Sequence, residues 1–190
     1  MLIHSSGKIE DFLRLNETGC LRCTNILASI PYAMKGVASD DFYKTITATR
    51  IPCTTYCRLD WSVPFDTRII RDFSSEGCKF FFIEEYLHAK VIWWKGWGAY
   101  IGSCNLTDRA CFENFEAGWF FEDSEINARG IQNELQAFFD ELERDSIPES
   151  SEIVSLLDRQ NERLGEYRAM RQALSHGFSD ALHRHLSSRL

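Results

Sequence analysis

Residues 88–105 read HAKVIWWKGWGAYIGSCN. Two β-prone runs, AKVIWW (89–94) and WGAYIGS (97–103), flank a Lys95-Gly96 step, so the stretch predicts two strands joined by a tight turn. Residues two apart on a strand share a face, which sets His88 and Lys90 side by side at the start of the first strand. The second strand closes on Gly102, Ser103 and Asn105. Small residues there let a ligand approach the backbone, and the Ser and Asn side chains can donate hydrogen bonds to it. An imidazole surrounded by lysine, serine and asparagine donors suits a phosphoryl group.

Working outward, TNILASI (24–30) is an apolar strand ending at Pro31-Tyr32, after which MKGVASDDFYKTI (34–46) has helical spacing. CTTYCRLDW (53–61) is a second strand, closed by a Ser62-Val63-Pro64 turn. In FDTRIIRDFSSEG (65–77) the apolar residues Phe65, Ile69, Ile70 and Phe73 fall on one helical face before Gly77 ends the helix. CKFFFIEE (78–85) and EAGWFFE (116–122) supply further strands. Strands that alternate with helices, most of them apolar on both faces, predict an α/β fold: a mixed β-sheet sandwiched between helices.

From about residue 124 the pattern turns helical, with NELQAFFDELERD (133–145) and a break at Ile147-Pro148. Beyond it Ile153, Leu156, Leu157, Leu164, Tyr167, Met170, Leu174, Phe178, Leu182 and Leu186 form an apolar stripe, interrupted at Gly177. Acidic and basic residues line its other side, so it reads as core or interface and not as a membrane face.

The chain has 190 residues, 44% of them hydrophobic, enough for one sizeable core. No run approaches the roughly 18 apolar residues that a membrane span needs, and MLIHSSGKIEDF lacks a long apolar leader. A soluble, cytoplasmic protein is expected. Seven cysteines, an odd number at irregular positions, fit a reducing compartment. Cys20, Cys23, Cys53 and Cys57 could supply zinc ligands, but the second spacing is loose and Cys57 lies in an apolar run, which favours packed thiols. A net charge of −7 and a pI near 5.3 argue against a broad basic surface for nucleic acid. A phosphate-bearing substrate must be gripped locally or delivered by a partner.

His88-x-Lys90, with Gly102-Ser103-x-Asn105 twelve positions on, resembles the HxK(x)4D(x)6GSxN motif of the phospholipase D superfamily without a gap in spacing. LTDRACFENFEAG (106–118) resembles the segment that carries a supporting glutamate in its nuclease-like members, here Glu116. The strands ILASIPY and CRLDW resemble the lead-in strands of the single-motif bacterial branch. Lys95 stands where the motif has aspartate, a position held to be structural in that family. The resemblance implies residues 1–145 as a catalytic domain, with 146–190 a C-terminal helical extension for packing or interface.

What the resemblance implies for chemistry is a covalent phosphohistidine on His88, with no metal and no other cofactor. One motif copy per chain implies a C2 homodimer with the active site at its interface. Lys90 and Asn105 would bind the phosphoryl oxygens, Ser103 would add a donor, and Glu116 would accept the imidazole Nδ1–H. Gly102 would admit substrate, and Trp97 is the aromatic to test for substrate contact. The remaining histidines, His4, His176, His183 and His185, read as solvated; the last two are two apart on a helix and do not share a face. The leading function is a nuclease acting on DNA or RNA, an effector within a larger prokaryotic complex for restriction or anti-phage defence. The alternatives are a phospholipid phosphodiesterase and an idle or regulated partner-binding subunit.

Overall fold

The structure, a computed structural model, describes residues 2–6, 10–60, 65–84 and 86–166, with backbone alone at 2–6 and 10–12. The turn at 62–64, the side chain of His4 and everything from Tyr167 on, including Gly177 and His176, His183 and His185, lie outside the described residues.

Fourteen elements follow in chain order: β1 (Leu2–Ser6), α1 (Glu10–Cys20), β2 (Ile26–Ser29), α2 (Val37–Thr49), β3 (Cys53–Arg58), α3 (Thr67–Ser74), β4 (Cys78–Ile83), β5 (Lys90–Trp94), β6 (Gly98–Gly102), α4 (Asp108–Phe112), β7 (Phe115–Glu122), α5 (Asp123–Ala128), α6 (Ile131–Asp145) and β8 (Ile147–Pro148). The described residues end in a further helix over 151–166, α7. The eight strands among the described residues form one sheet in the order β1-β7-β6-β5-β2-β3-β4-β8. Strands β2, β3 and β4 run parallel, while β5, β6, β7 and β1 extend the sheet antiparallel on one side and β8 on the other.

Alternation along the central strands divides the core into two layers, as a sheet covered on both faces requires. Ile26, Cys57, Phe80, Ile92 and Trp94 face α1, α2, α3 and α7, whereas Leu27, Tyr56, Val91 and Trp93 face α5 and α6. Burial of each such large side chain contributes about 1.5–3 kcal/mol relative to exposure. All seven cysteines are free and buried, and no group of three or more potential ligands could hold a metal ion among the described residues. Likewise no described helix is long and apolar enough to cross a membrane.

The C-terminal segment, as far as 166, packs on this same core. Strand β8 pairs with β4 through Ile147 and Phe82, and α7 drives Leu157 to complete burial with Ile153 and Val154 beside it. Asp158 accepts hydrogen bonds from Thr67 and Arg71 of α3, and Asn161 donates to the Phe65 carbonyl at 3.3 Å.

Strand β1 and helices α1 and α4 have no counterpart in the sequence reading. Helix α1 is hidden by a polar core residue: Asn16 is buried, donates to the Phe42 carbonyl at 3.0 Å and accepts from Trp94 Nε1 at 3.1 Å. An asparagine at a core position interrupts the apolar periodicity by which such a helix is recognised.

Candidate active site

Strand β5 runs against β2, so its first residue lies level with the carboxyl ends of the parallel strands, where α/β sheets gather their ligands. The register Lys90↔Gly102↔Gly118 then aligns β5, β6 and β7 at this edge. A Cβ at Gly102 would come within 2.1 Å of the Tyr100 hydroxyl oxygen, and one at Gly118 within 2.2 Å of the same ring. The two glycines make room for Tyr100 to lie along the sheet beneath the site.

Lys90 is 7% exposed, and its ammonium donates to the His88 carbonyl at 2.9 Å. The same nitrogen is 3.3 Å from His88 Nε2 and 3.4 Å from Nδ1. The imidazole itself is exposed. Burial pushes the Lys90 ammonium below the usual lysine range, the Glu116 charge pulls it back up, and the Arg58 charge pushes it further down. An exposed imidazole thus stands against a cation held by burial and a backbone bond.

Ser103 and Glu116 are joined across β6 and β7. The Ser103 hydroxyl donates to Glu116 Oε2 and accepts from the Ala117 amide at 3.1 Å, while the Ser103 amide donates to the Ala117 carbonyl at 2.9 Å. Asn114 donates to the other Glu116 oxygen at 3.3 Å. Among the described residues the His88 ring contacts Lys90 and not Glu116, so the expected imidazole–carboxylate bond is not made within one chain in this structure. Both carboxylate oxygens already have donors.

The loop after Ser103 is tied down from several directions. Leu106 bridges Ala33, its amide donates to the Tyr32 carbonyl at 3.2 Å, and its carbonyl accepts from the Met34 amide at 3.1 Å. Asp108 then reaches across to the start of α2, accepting from the Val37 and Ala38 amides at 3.2 and 2.8 Å. Those amides would otherwise lack partners, and the carboxylate also opposes the positive end of the helix. Asn105 is held within this loop, its carbonyl accepting from the Thr107 amide at 2.9 Å and its Oδ1 buried without a partner among the described residues.

Two sequence candidates lie elsewhere. Trp97 follows the turn at the far end of the hairpin from His88, half-buried, its ring 4.7 Å from Phe120 and 5.6 Å from Trp94. Lys95 occupies the same turn, where Gly96 supplies φ 89° and Trp97 N–H closes onto the Trp94 carbonyl at 3.0 Å. Its ammonium donates to Gln136 at 3.0 Å and sits 4.6 Å from the Trp93 ring centre. A cavity of about 700 Å³ lined by Lys44, Thr47, Arg50 and Glu76 lies at that amino end of β3 and β4 as well, away from His88.

The sequence reading missed Arg58 at the carboxyl end of β3. Its guanidinium pairs with Asp60 at 2.9 Å and lies 5.3 Å over the Tyr32 ring, and Tyr32 O–H donates to the same carboxylate at 3.2 Å. The available signal was the Arg-x-Asp step in CRLDW, legible only once β3 was known to end beside β5.

Residues 58–142 match the family model described as cardiolipin synthase, PLD-like domain. Over these residues the chain is similar to the phospholipase D-like domain that this model describes. The phospholipase D-like fold is shared with a phospholipase D family member, Nuc, from Salmonella typhimurium (15% identity, TM-score 0.59, 80% of this chain and 97% of that one). It is shared equally with NucT from Helicobacter pylori (14%, 0.62, 78% and 98%) and with phosphatidylserine synthase from Haemophilus influenzae (11%, 0.63, 90% and 45%). At these identities the likeness is one of fold. No curated protein matches the chain. The phospholipase D-like match contains His88, Lys90, Ser103, Asn105 and Glu116 together, and its one departure from the superfamily motif, Lys95, sits at the turn remote from the imidazole.

Proposed function

We propose that the protein is a metal-independent nuclease that cleaves phosphodiester bonds of DNA or RNA through a phosphohistidine, in a site shared by two copies of the chain. The observation that carries this reading is the exposed His88 ring set against the buried Lys90 ammonium at 3.3 Å, with Ser103 and Glu116 paired on the neighbouring strands. Residues 1–145 carry the chemistry, and 146–190 serve packing or interface.

His88 Nε2 attacks phosphorus, forming the P–N bond as the P–O bond to the leaving group breaks. The partner's His88 gives that oxygen its proton. Water then attacks phosphorus, the P–N bond breaks, and the partner's His88 takes up the water proton. Lys90 and Asn105 bind the non-bridging oxygens, where negative charge builds in the transition state, and Ser103 adds a donor. Glu116 holds the imidazole tautomer once the partner completes the site.

Two features support pairing. Tyr86, two residues before His88, is 66% exposed, and Phe115, one before Glu116, is 91% exposed, so large apolar side chains stand at the site's edge. The fold also accounts for 97–98% of Nuc and NucT but 45% of the phosphatidylserine synthase, as a unit that must double to make a full site would. With a net charge of −7 the chain depends on a partner for targeting, as an effector in a prokaryotic defence or restriction complex. Tight sequence-specific DNA binding by the isolated chain would contradict that targeting role.

Cleavage of labelled single- and double-stranded DNA and RNA in excess EDTA, wild type against His88→Ala, tests the reading. Activity that survives EDTA and disappears in the variant supports it. Hydrolysis of phospholipid vesicles with no nucleic acid cleaved would replace it with a lipid phosphodiesterase.

A further inference from the structure

We propose that Arg58 is a second phosphate site, which takes the phosphate adjoining the scissile one on a nucleic acid strand; this rests on the nuclease reading above. Arg58 ends β3 and Lys90 begins β5, with only β2 between them. At the spacing of neighbouring strands their backbones are about 10 Å apart, and the side chains leave opposite faces of the sheet, Arg58 with Tyr56 and Lys90 with Ile92, so the two cations flank the carboxyl end of β2 from either side. The two cations already sense one another, since the Arg58 charge lowers the proton affinity of Lys90.

The guanidinium is held ready for a ligand. Asp60, itself 3% exposed, fixes one terminal nitrogen at 2.9 Å, and the Tyr32 ring lies beneath the plane. Side-chain entropy is therefore lost on folding and not on binding. Arg58 Nε is buried without a hydrogen-bond partner among the described residues, so the Asp60 pairing does not exhaust a group with five donors. A guanidinium presents paired donors to phosphate oxygens, which a lysine cannot do. Tyr32 belongs to the segment whose carbonyl holds Leu106, so this cation and Asn105 are carried on joined loops. The net −7 chain thereby meets a strand of phosphates with two cations at one edge of its sheet, Lys90 and Arg58, and no broad basic surface.

The test compares Arg58→Gln with wild type, in EDTA, on a labelled oligonucleotide and on bis(p-nitrophenyl) phosphate, a diester with no adjoining phosphate. Loss of a charge-assisted contact predicts a kcat/KM lower by about 10- to 100-fold on the oligonucleotide, mainly through KM. On the small diester the change stays within about two-fold. The alkaline limb of the rate, governed by Lys90 among His88, Glu116 and Arg58, moves to higher pH in the variant. Arg58→Lys keeps the charge without the paired donors and is intermediate on the oligonucleotide; it serves alone if Arg58→Gln fails to fold. Equal losses on both substrates, or no loss on either, would overturn the proposal. Wild-type cleavage of neither substrate would mark the nuclease reading as the part at fault.

Discussion

The two ends of the β5–β6 hairpin are a few residues apart in sequence and differ in what their polar groups do. At the turn, Lys95 is bound to Gln136 and Trp93, and Trp97 is packed on Trp94 and Phe120. At the open end the His88 ring is exposed beside Lys90, which is buried and below its ordinary proton affinity. Groups at the turn stabilise the fold, whereas the open end keeps a cation and an imidazole together at a cost to folding. A motif written along one hairpin thus contains positions of two physical kinds, and Lys95 at the aspartate position falls on the structural side.

The comparison breaks most directly at His88. His88→Ala is expected to lower phosphodiester cleavage by about 10³-fold or more, since it removes both nucleophile and proton donor, while Tm stays unchanged because the ring is exposed. Activity retained in the variant would place the chemistry elsewhere.

Lys90→Met is expected to cost about 10²- to 10³-fold in kcat without lowering stability. The folded-state pKa of Lys90 lies below its unfolded value, so the charged form is disfavoured by folding and the full cost is present below the folded pKa. That cost lifts as pH rises from the folded pKa toward about 10.4, the unfolded value. The stability advantage of Lys90→Met over wild type should therefore shrink across that window, followed by urea melts against pH. Glu116→Gln removes the charge that raises the Lys90 pKa and should move the alkaline limb of the rate to lower pH.

Trp97→Ala should destabilise by about 2–4 kcal/mol, read by denaturant midpoint, and leave KM unchanged. A rise in KM at unchanged stability would establish the substrate contact expected from sequence. The smallest effect is expected from Lys95→Asp, which reinstates the motif residue: about 1 kcal/mol lost with the Gln136 and Trp93 contacts, and activity within about two-fold. A gain of ten-fold or more would show that the turn reaches the chemistry after all.

Much of the sheet was legible because its strands are local apolar runs. Strands β2, β3, β4, β5, β6 and β7 all correspond to stretches readable by composition and turn residues. Strand β1 was not, since its pairing partner β7 is remote in sequence, and α4 is five residues long. His88, Lys90, Ser103 and Asn105 stood out by their spacing, and Glu116 only by the resemblance to the phospholipase D superfamily. Arg58 was not, because nothing local says that the end of one strand lies two places across a sheet from the start of another.

By itself the sequence determined the strand and helix types, the α/β class and the motif spacing, all of which depend on side-chain periodicity over a few residues. Tertiary structure alone decided which motif positions face the open edge, which pack at the turn, and that Glu116 meets Ser103 and Asn114 in a single chain. Those outcomes depend on register between strands far apart in the chain, which long-range packing sets and local pattern does not.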